Sequence, residues 1–313
     1  MKIAIAGAGA MGGRFGYMLG KAGMDVLLVD QWEPHIAAIR EHGLQVNNDG
    51  VHETIQLPIY TPEELDSDQV EFDLVILFPK SLQLDGMLQA IRPILKSHTN
   101  VLCLLNGLGH ETTVEKYVAK ENIFIGCTMW TAGLEGPGKI KLLGGGNVVL
   151  QNLGEHSKQT ALQIAELLSA ANLKAAYSDH VIYEIYKKAC ANGATNAICT
   201  LLESNLTTFG NTSCAEAIVR TVVNEYAAVA AMEGVILEVE AITNFVKGAF
   251  DPAGIGRHYP SMYQDLILTN RRTEVDCING IIEEKGKAYN ISTPYCALIT
   301  QLTHCKEDIL GAS

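Results

Sequence analysis

Short, almost wholly apolar runs alternate with helical periodicity along the first half of this chain. Lys2–Ala6, Asp25–Asp30, Phe72–Phe78, Val101–Leu105 and Ile123–Thr128 carry the runs, the pattern of strands buried on both faces. Among them, Ala10–Ala22, Pro34–His42, Lys80–Lys96 and Glu111–Lys120 repeat apolar residues at helical spacing. Thr54–Leu57 and Asn147–Gln151 read as further strands, and Gly133–Gly146 as a turn-rich stretch. Strands and helices alternating in this way predict a doubly wound α/β sheet. From Asp179 the texture changes. Val181–Leu202, Cys214–Gly234, Leu237–Gly248, Ser261–Arg272, Glu274–Ala288 and Thr293–Leu310 are all helical in pattern. The expected division is an α/β dinucleotide-binding part, 1–178, and an all-α part, 179–313, with ligands bound in a cleft between them.

Composition narrows the functions available. Of 313 residues, 48% are apolar and 19% charged, enough to bury a core. Twenty-three basic against 35 acidic residues leave a net charge of −12, which argues against nucleic acid or an anionic membrane as partner. A small anionic ligand in a local basic pocket remains compatible with that balance. The eight cysteines form no C-x-x-C pair, as expected of free thiols in a reducing compartment. The N-terminal apolar run is too short for a secretion signal, and no stretch approaches about 18 apolar residues. A cytoplasmic protein is the expectation.

Chemistry first surfaces at Gly7-Ala8-Gly9-Ala10-Met11-Gly12, a G-x-G-x-x-G between the first strand and the first helix. Gly7 permits a tight turn, Gly9 lets a pyrophosphate approach the backbone, and Gly12 lets helix and strand pack closely. Ala10 and Met11 begin the helix whose free N–H groups would face the anion. Asp30 closes the second strand, 18 residues beyond Gly12, near the roughly 20 expected for a carboxylate on the adenosine ribose. Such a carboxylate favours NAD over NADP, and no basic residue follows between Gln31 and Ile39. The plain alternatives are an ordinary glycine-rich turn and a turn-capping aspartate.

A second set of polar residues lies in apolar settings. Lys80 follows the strand 72–78, and Asn106-Gly107 ends the next one. Lys188, Asn192 and Asn196 fall at i, i+4, i+8 and so are expected on one helical face. Ser261 and Glu274 stand near predicted helix starts, where each could equally be a cap or a favourable first-turn charge. No H-E-x-x-H or Cys/His cluster points to a metal.

Taken together, these residues resemble the ketopantoate reductase family along the whole chain. The likeness rests on Gly7/Gly9/Gly12, Phe78-Pro79-Lys80-Ser81, Asn106-Gly107-Leu108-Gly109, Pro137-Gly138 and Lys188-x-x-x-Asn192-x-x-x-Asn196. Ser261-Met262-x-Gln264-Asp265 and Thr273-Glu274-x-Asp276-x-x-Asn279-Gly280 complete it. The resemblance implies a 2-oxo acid reduced by a nicotinamide cofactor, with Lys188 as general acid and Glu274 orienting the substrate hydroxyl or the lysine. It also implies Asn192, Asn196 and Ser261 on the substrate, and Lys80 and Asn106 beside the cofactor's ribose and nicotinamide.

Two departures refine the expectation. Ketopantoate-specific members are similar in placing Asn three residues before the serine that is Ser261 here, whereas this chain has His258. They also use NADP, with a basic residue where Asp30 stands. Both features resemble instead the NAD-dependent members that yield D-2-hydroxy acids, the D-mandelate dehydrogenase type, with His258 counted among the substrate-binding residues. The leading expectation is therefore NAD-dependent reduction of a branched or aromatic 2-oxo acid by a homodimer paired through the helical part. The alternatives are an NADPH-dependent 2-dehydropantoate 2-reductase and a non-catalytic NAD-binding sensor.

Overall fold

A computed structural model describes residues 1–65 and 71–312 and resolves the chain into two compact units. The first comprises Met1–Leu105 and His110–Val181; the second comprises Asn106–Gly109 and Ile182 onward.

In the first unit the strands are β1 (Lys2–Ala6), β2 (Asp25–Val29), β3 (Leu44–Asn48), β4 (Val51–Ile55), β5 (Ile59–Tyr60) and β6 (Leu74–Leu77). There follow β7 (Asn100–Cys103), β8 (Ile123–Thr128), β9 (Thr131–Gly136), β10 (Lys139–Leu143), β11 (Val148–Asn152) and β12 (Ala175–Tyr177). The helices are α1 (Ala10–Lys21), α2 (Glu33–His42), α3 (Leu84–Ile91), α4 (His110–Val114) and α5 (Lys158–Ala170).

The main sheet runs β12-β11-β8-β7-β6-β1-β2-β5, parallel throughout except where β11 meets β8. Its six contiguous parallel strands from β5 to β8, numbered among themselves in chain order, lie 3-2-1-4-5-6, the doubly wound dinucleotide-binding order. The strand order reverses between β1 and β6, which places the ends of those two strands at the switch point.

The stretch 133–146 is not mainly turns. It supplies most of β9 and β10, which join β3 and β4 in a second sheet ordered β4-β3-β10-β9. Glycines at 133, 136 and 138 disguise the strands by interrupting their alternation, while Asp49 and Gly50, both at positive φ, close the β3–β4 hairpin. The strand expected at 54–57 begins earlier, as β4. The helices expected at 80–96 and 111–120 are shorter: α3 is flanked by 3₁₀ turns at Ser81–Gln83 and Arg92–Ile94, and α4 ends at Val114.

The second unit is helical: α6 (Val181–Gly193), α7 (Asn196–Leu201), α8 (Leu206–Gly210), α9 (Ala215–Met232), α10 (Val239–Gly248), α11 (Ser261–Tyr263), α12 (Ile281–Tyr289) and α13 (Pro294–Leu310). A π-helical turn extends α11 through Gln264–Leu268, and another, Asp276–Gly280, leads into α12. Central helix α9 buries Val219, Val222, Val223, Tyr226 and Val229 against α10, α12 and α13. Its apolar breadth is therefore the mark of a core helix. Glu225 on α9 accepts the amides of Tyr295 and Cys296 at 2.9 and 2.8 Å and so caps α13. All eight cysteines are free, and burial pushes the Cys103 and Cys199 thiols up to about 12. Among the described residues, no helix is long and apolar enough to cross a membrane.

Candidate active site

Gly7 sits at the switch point with φ +93°, and a Cβ there would lie 2.5 Å from the backbone of Phe78 and Pro79 at the end of β6. A Cβ on Gly12 would collide with the carbonyl oxygen of Gly7. Gly9, by contrast, faces open space. Helix α1 begins with no side-chain cap and no acidic residue in its first turn, which leaves its positive end available to an anion. Lys80, half-buried, follows the neighbouring strand at the same edge of the sheet.

The Asp30 carboxylate is built into this turn. Its Oδ2 accepts the Ala8 amide at 2.6 Å, and its Oδ1 accepts those of Gln31 and Trp32 at 2.8 and 2.9 Å. A carboxylate offers about four acceptor positions, so Oδ2 retains room for a ribose hydroxyl. Asp30 is thus both turn cap and ribose candidate. His35 braces the same loop from below: Gly138 N–H donates to Nδ1 at 3.0 Å, which leaves Nε2–H to donate to the Ala8 carbonyl at 3.0 Å. Burial pushes the His35 pKa below its ordinary value, consistent with a neutral ring. An uncapped helix start, an open Gly9 and a carboxylate closing β2 fit a dinucleotide.

In the helical unit, the two adjacent lysines of α6 separate in role. Lys187 pairs with Glu184 at 3.5 Å and lies 4.9 Å over the Phe245 ring. Lys188, half-buried and about 100° further round the helix, points elsewhere. Asn192 is half-buried near the end of the same helix.

The expected single face does not extend to Asn196. Helix α6 stops at Gly193, Thr195 leaves helical geometry at φ −133°, and Asn196 opens α7, where it is buried. The break has identifiable causes. The Asn279 side chain donates to the Gly193 carbonyl at 3.0 Å, and Thr195 Oγ1 donates to the Ala191 carbonyl at 2.8 Å. Tyr226, whose hydroxyl donates to the Ile278 carbonyl at 2.8 Å, fills the space a side chain at 193 would need.

Asn279 thereby joins the end of α6 to the segment that begins at Glu274. That segment also receives the Asn106 turn: Leu108 N–H donates to the Cys277 carbonyl at 3.0 Å, and Gly107, at φ +99°, has no room for a Cβ against that carbonyl. Glu274 lies at a bend before the π-turn, 8% exposed, and its carbonyl accepts the Cys277 amide at 3.1 Å. Asn106, Asn192, Lys188 and Glu274 are thus carried by segments that bond directly to one another.

Ser261 is exposed at the first position of α11, where Pro260 takes the cap position and no side-chain cap is made. His258 is half-buried beside Gln264, with 3.3 Å between their Nε2 atoms, and burial pushes its pKa down. Sequence reasoning passed over three contributors: His35, His304 on α13 and its neighbour Glu307. The His304-x-x-Glu307 spacing on one helix was the available signal. Among the described residues, no cluster of His, Cys, Asp and Glu is arranged to hold a metal ion.

Comparison with known proteins places these features in a family. Residues 3–155 match the model of "Ketopantoate reductase PanE/ApbA", and residues 180–307 match that of its C-terminal part. A 2-dehydropantoate 2-reductase of Lactococcus lactis is 55% identical over the full length of both chains. One from Streptococcus pyogenes serotype M3 is 46% identical over 99% of each. The solved structure of D-mandelate dehydrogenase with NADH and anilino(oxo)acetate is 52% identical, covers all of both chains and superimposes with a TM-score of 0.98. The chain belongs to the ketopantoate reductase family of NAD(P)-dependent oxidoreductases acting on the CH–OH group of 2-hydroxy acids.

Proposed function

We propose that this protein reduces a small 2-oxo acid to the 2-hydroxy acid, with 2-dehydropantoate as the substrate its sequence relatives favour. The observation that carries the proposal is the set of bonded segments holding Lys188, Asn192, Asn106 and Glu274, in a chain that also has an open glycine turn on an uncapped helix. The names of the 55% and 46% identical relatives reverse the order expected from sequence, putting 2-dehydropantoate ahead of a bulky acid.

A nicotinamide nucleotide held by Gly7, Gly9, Ala10, Met11, Gly12 and Asp30 supplies hydride when bound. The protein's own part is proton and charge management. Lys188 gives a proton to the alkoxide that develops at the former carbonyl oxygen. Glu274 orients the ammonium or the new hydroxyl. Asn192, Asn196, Ser261 and His258 bind the carboxylate and hydroxyl, while Lys80 adds positive potential beside the cofactor and Asn106 binds its ribose.

A second reading, NADH-dependent reduction of a branched or aromatic acid, draws on two observations. One is the Asp30 carboxylate, which suits a ribose 2′-hydroxyl and repels a 2′-phosphate. The other is the D-mandelate dehydrogenase solved with NADH. Because the relatives are oxidoreductases, the non-catalytic sensor is set aside. NADH and NADPH oxidation, each with 2-dehydropantoate and with benzoylformate, decides between the readings. NADPH with 2-dehydropantoate supports the first, and NADH with benzoylformate the second. Turnover of neither acid overturns both.

We also propose a homodimer through the helical unit. The apolar faces of α9 are consumed in its own core, but α13 exposes Tyr295, Leu298, Leu302 and Ile309 in a row. Leu298→Glu combined with Leu302→Glu is expected to halve the mass measured by sedimentation. A monomeric wild type would exclude the dimer.

A further inference from the structure

The C-terminal helix carries an ionisable pair that the chemistry above leaves unused. Glu307 is 3% exposed, and its carboxylate has two partners: Oε1 accepts the Thr273 amide at 2.7 Å, and Oε2 lies 2.9 Å from His304 Nδ1. The other ring nitrogen of His304 is 2.9 Å from Asp276 Oδ1. A neutral imidazole has a single N–H, so only the imidazolium donates to both carboxylates at once. Burial lowers the His304 pKa, but its bonds to Glu307 and Asp276 outweigh burial and raise it. Burial raises the Glu307 pKa, but bonds from Thr273 and His304 outweigh burial and lower it.

This arrangement grips the chain on either side of Glu274. Thr273 precedes it and is held by Glu307; Thr273 Oγ1 in turn accepts the Val275 amide at 3.3 Å. Asp276, two residues further on, is held by His304. Glu274 itself lies at a bend immediately before helical geometry begins at Val275. Several other charges on α13 and on the helices packed against it are engaged elsewhere. Lys306 holds Glu203 and the carbonyls of Thr200 and Leu201, Glu225 caps the start of α13, Lys285 pairs with Glu233, and Lys287 pairs with Glu283.

We propose that Glu307 and His304 are positioning residues for Glu274, clamping its backbone so that its carboxylate meets the substrate in one orientation. The inference rests on the role of Glu274 proposed above. Because the clamp needs an imidazolium between two carboxylates, it is complete below the raised His304 pKa and loosens as pH rises through it.

The test compares Glu307→Gln, His304→Gln and the milder Asp276→Asn with Glu274→Gln, reading kcat, cofactor KM, the pH profile and thermal melting. Glu307→Gln keeps an acceptor for Thr273 and is expected to lower kcat about tenfold with cofactor KM within about twofold. The wild type is expected to show an alkaline decline in kcat with a part that follows the His304 proton; His304→Gln is expected to remove that part while leaving the part due to Lys188, and Asp276→Asn to move it to lower pH. Wild-type kcat and pH profiles in all three variants, beside an impaired Glu274→Gln, would overturn the clamp alone. An unimpaired Glu274→Gln would overturn the role of Glu274 and, with it, anything positioned for it. Lower melting temperatures with kcat unchanged would assign the cluster to stability only.

Discussion

The Asp30 carboxylate accepts the Ala8 amide at 2.6 Å, so the group that closes β2 also fixes the turn that opens α1. Cofactor choice and loop geometry are therefore linked through one side chain.

Asp30→Asn separates the two effects. It keeps an acceptor oxygen for Gln31 and Trp32 but sets an amide N–H against that of Ala8. A lost charge-assisted bond is worth about 1.5–3 kcal/mol, so NADH KM is expected to rise about 10- to 100-fold. NADPH is expected to suffer less, because the negative charge opposing a 2′-phosphate has gone. Equal losses for both cofactors in fluorescence titrations would show that Asp30 acts only through the loop.

Lys188→Ala is expected to lower kcat by about 10²- to 10⁴-fold, the usual range for a general acid. Lys187→Ala, its neighbour on α6, is expected to stay within about twofold of wild type, since Lys187 is committed to Glu184 and the Phe245 ring. Equal effects of the two substitutions in steady-state assays would contradict the assignment.

Glu225→Ala removes the cap of α13 and leaves two amides, those of Tyr295 and Cys296, without their partner. A loss of about 1–3 kcal/mol of unfolding free energy is expected. Urea denaturation with an unchanged m-value checks it.

His35 sets an acid limit on cofactor binding. Its folded pKa is depressed, so the unfolded chain takes up the proton first as pH falls below about 6.5. The stability it contributes is complete above that value and is lost as pH drops toward the folded pKa. Protonation would also turn Nδ1 into a donor facing the Gly138 N–H. NADH affinity is expected to weaken progressively as pH falls toward the depressed His35 pKa and to do so less steeply in His35→Gln. An affinity independent of pH down to unfolding would remove His35 from this role.

The parts legible in the sequence were those with a local steric or periodic cause. Gly7 and Gly12 answer to backbone atoms a few residues or one strand away, and buried strands such as β6 and β8 declare themselves as apolar runs. Where the cause is distant, the reading fell short. The i, i+4, i+8 face of Lys188, Asn192 and Asn196 presumes an unbroken helix, and the break at Gly193 is imposed by Asn279, 86 residues away. Glu307 reaches Thr273 across 34 residues, and the local His304-x-x-Glu307 spacing says nothing of that distant partner. Strands β9 and β10 were hidden by their own glycines.

The short turn Asn106–Gly109 belongs to the helical unit although it lies more than 70 residues before the rest of that unit. That unit consequently has no single genetic boundary. A fragment beginning at residue 179 lacks the turn between β7 and α4 whose Leu108 N–H donates to the Cys277 carbonyl. It would leave the Cys277 carbonyl without its Leu108 donor. Exchange of helical units between relatives by one crossover would carry the same mismatch, so recombination within this architecture has to replace two stretches of gene together.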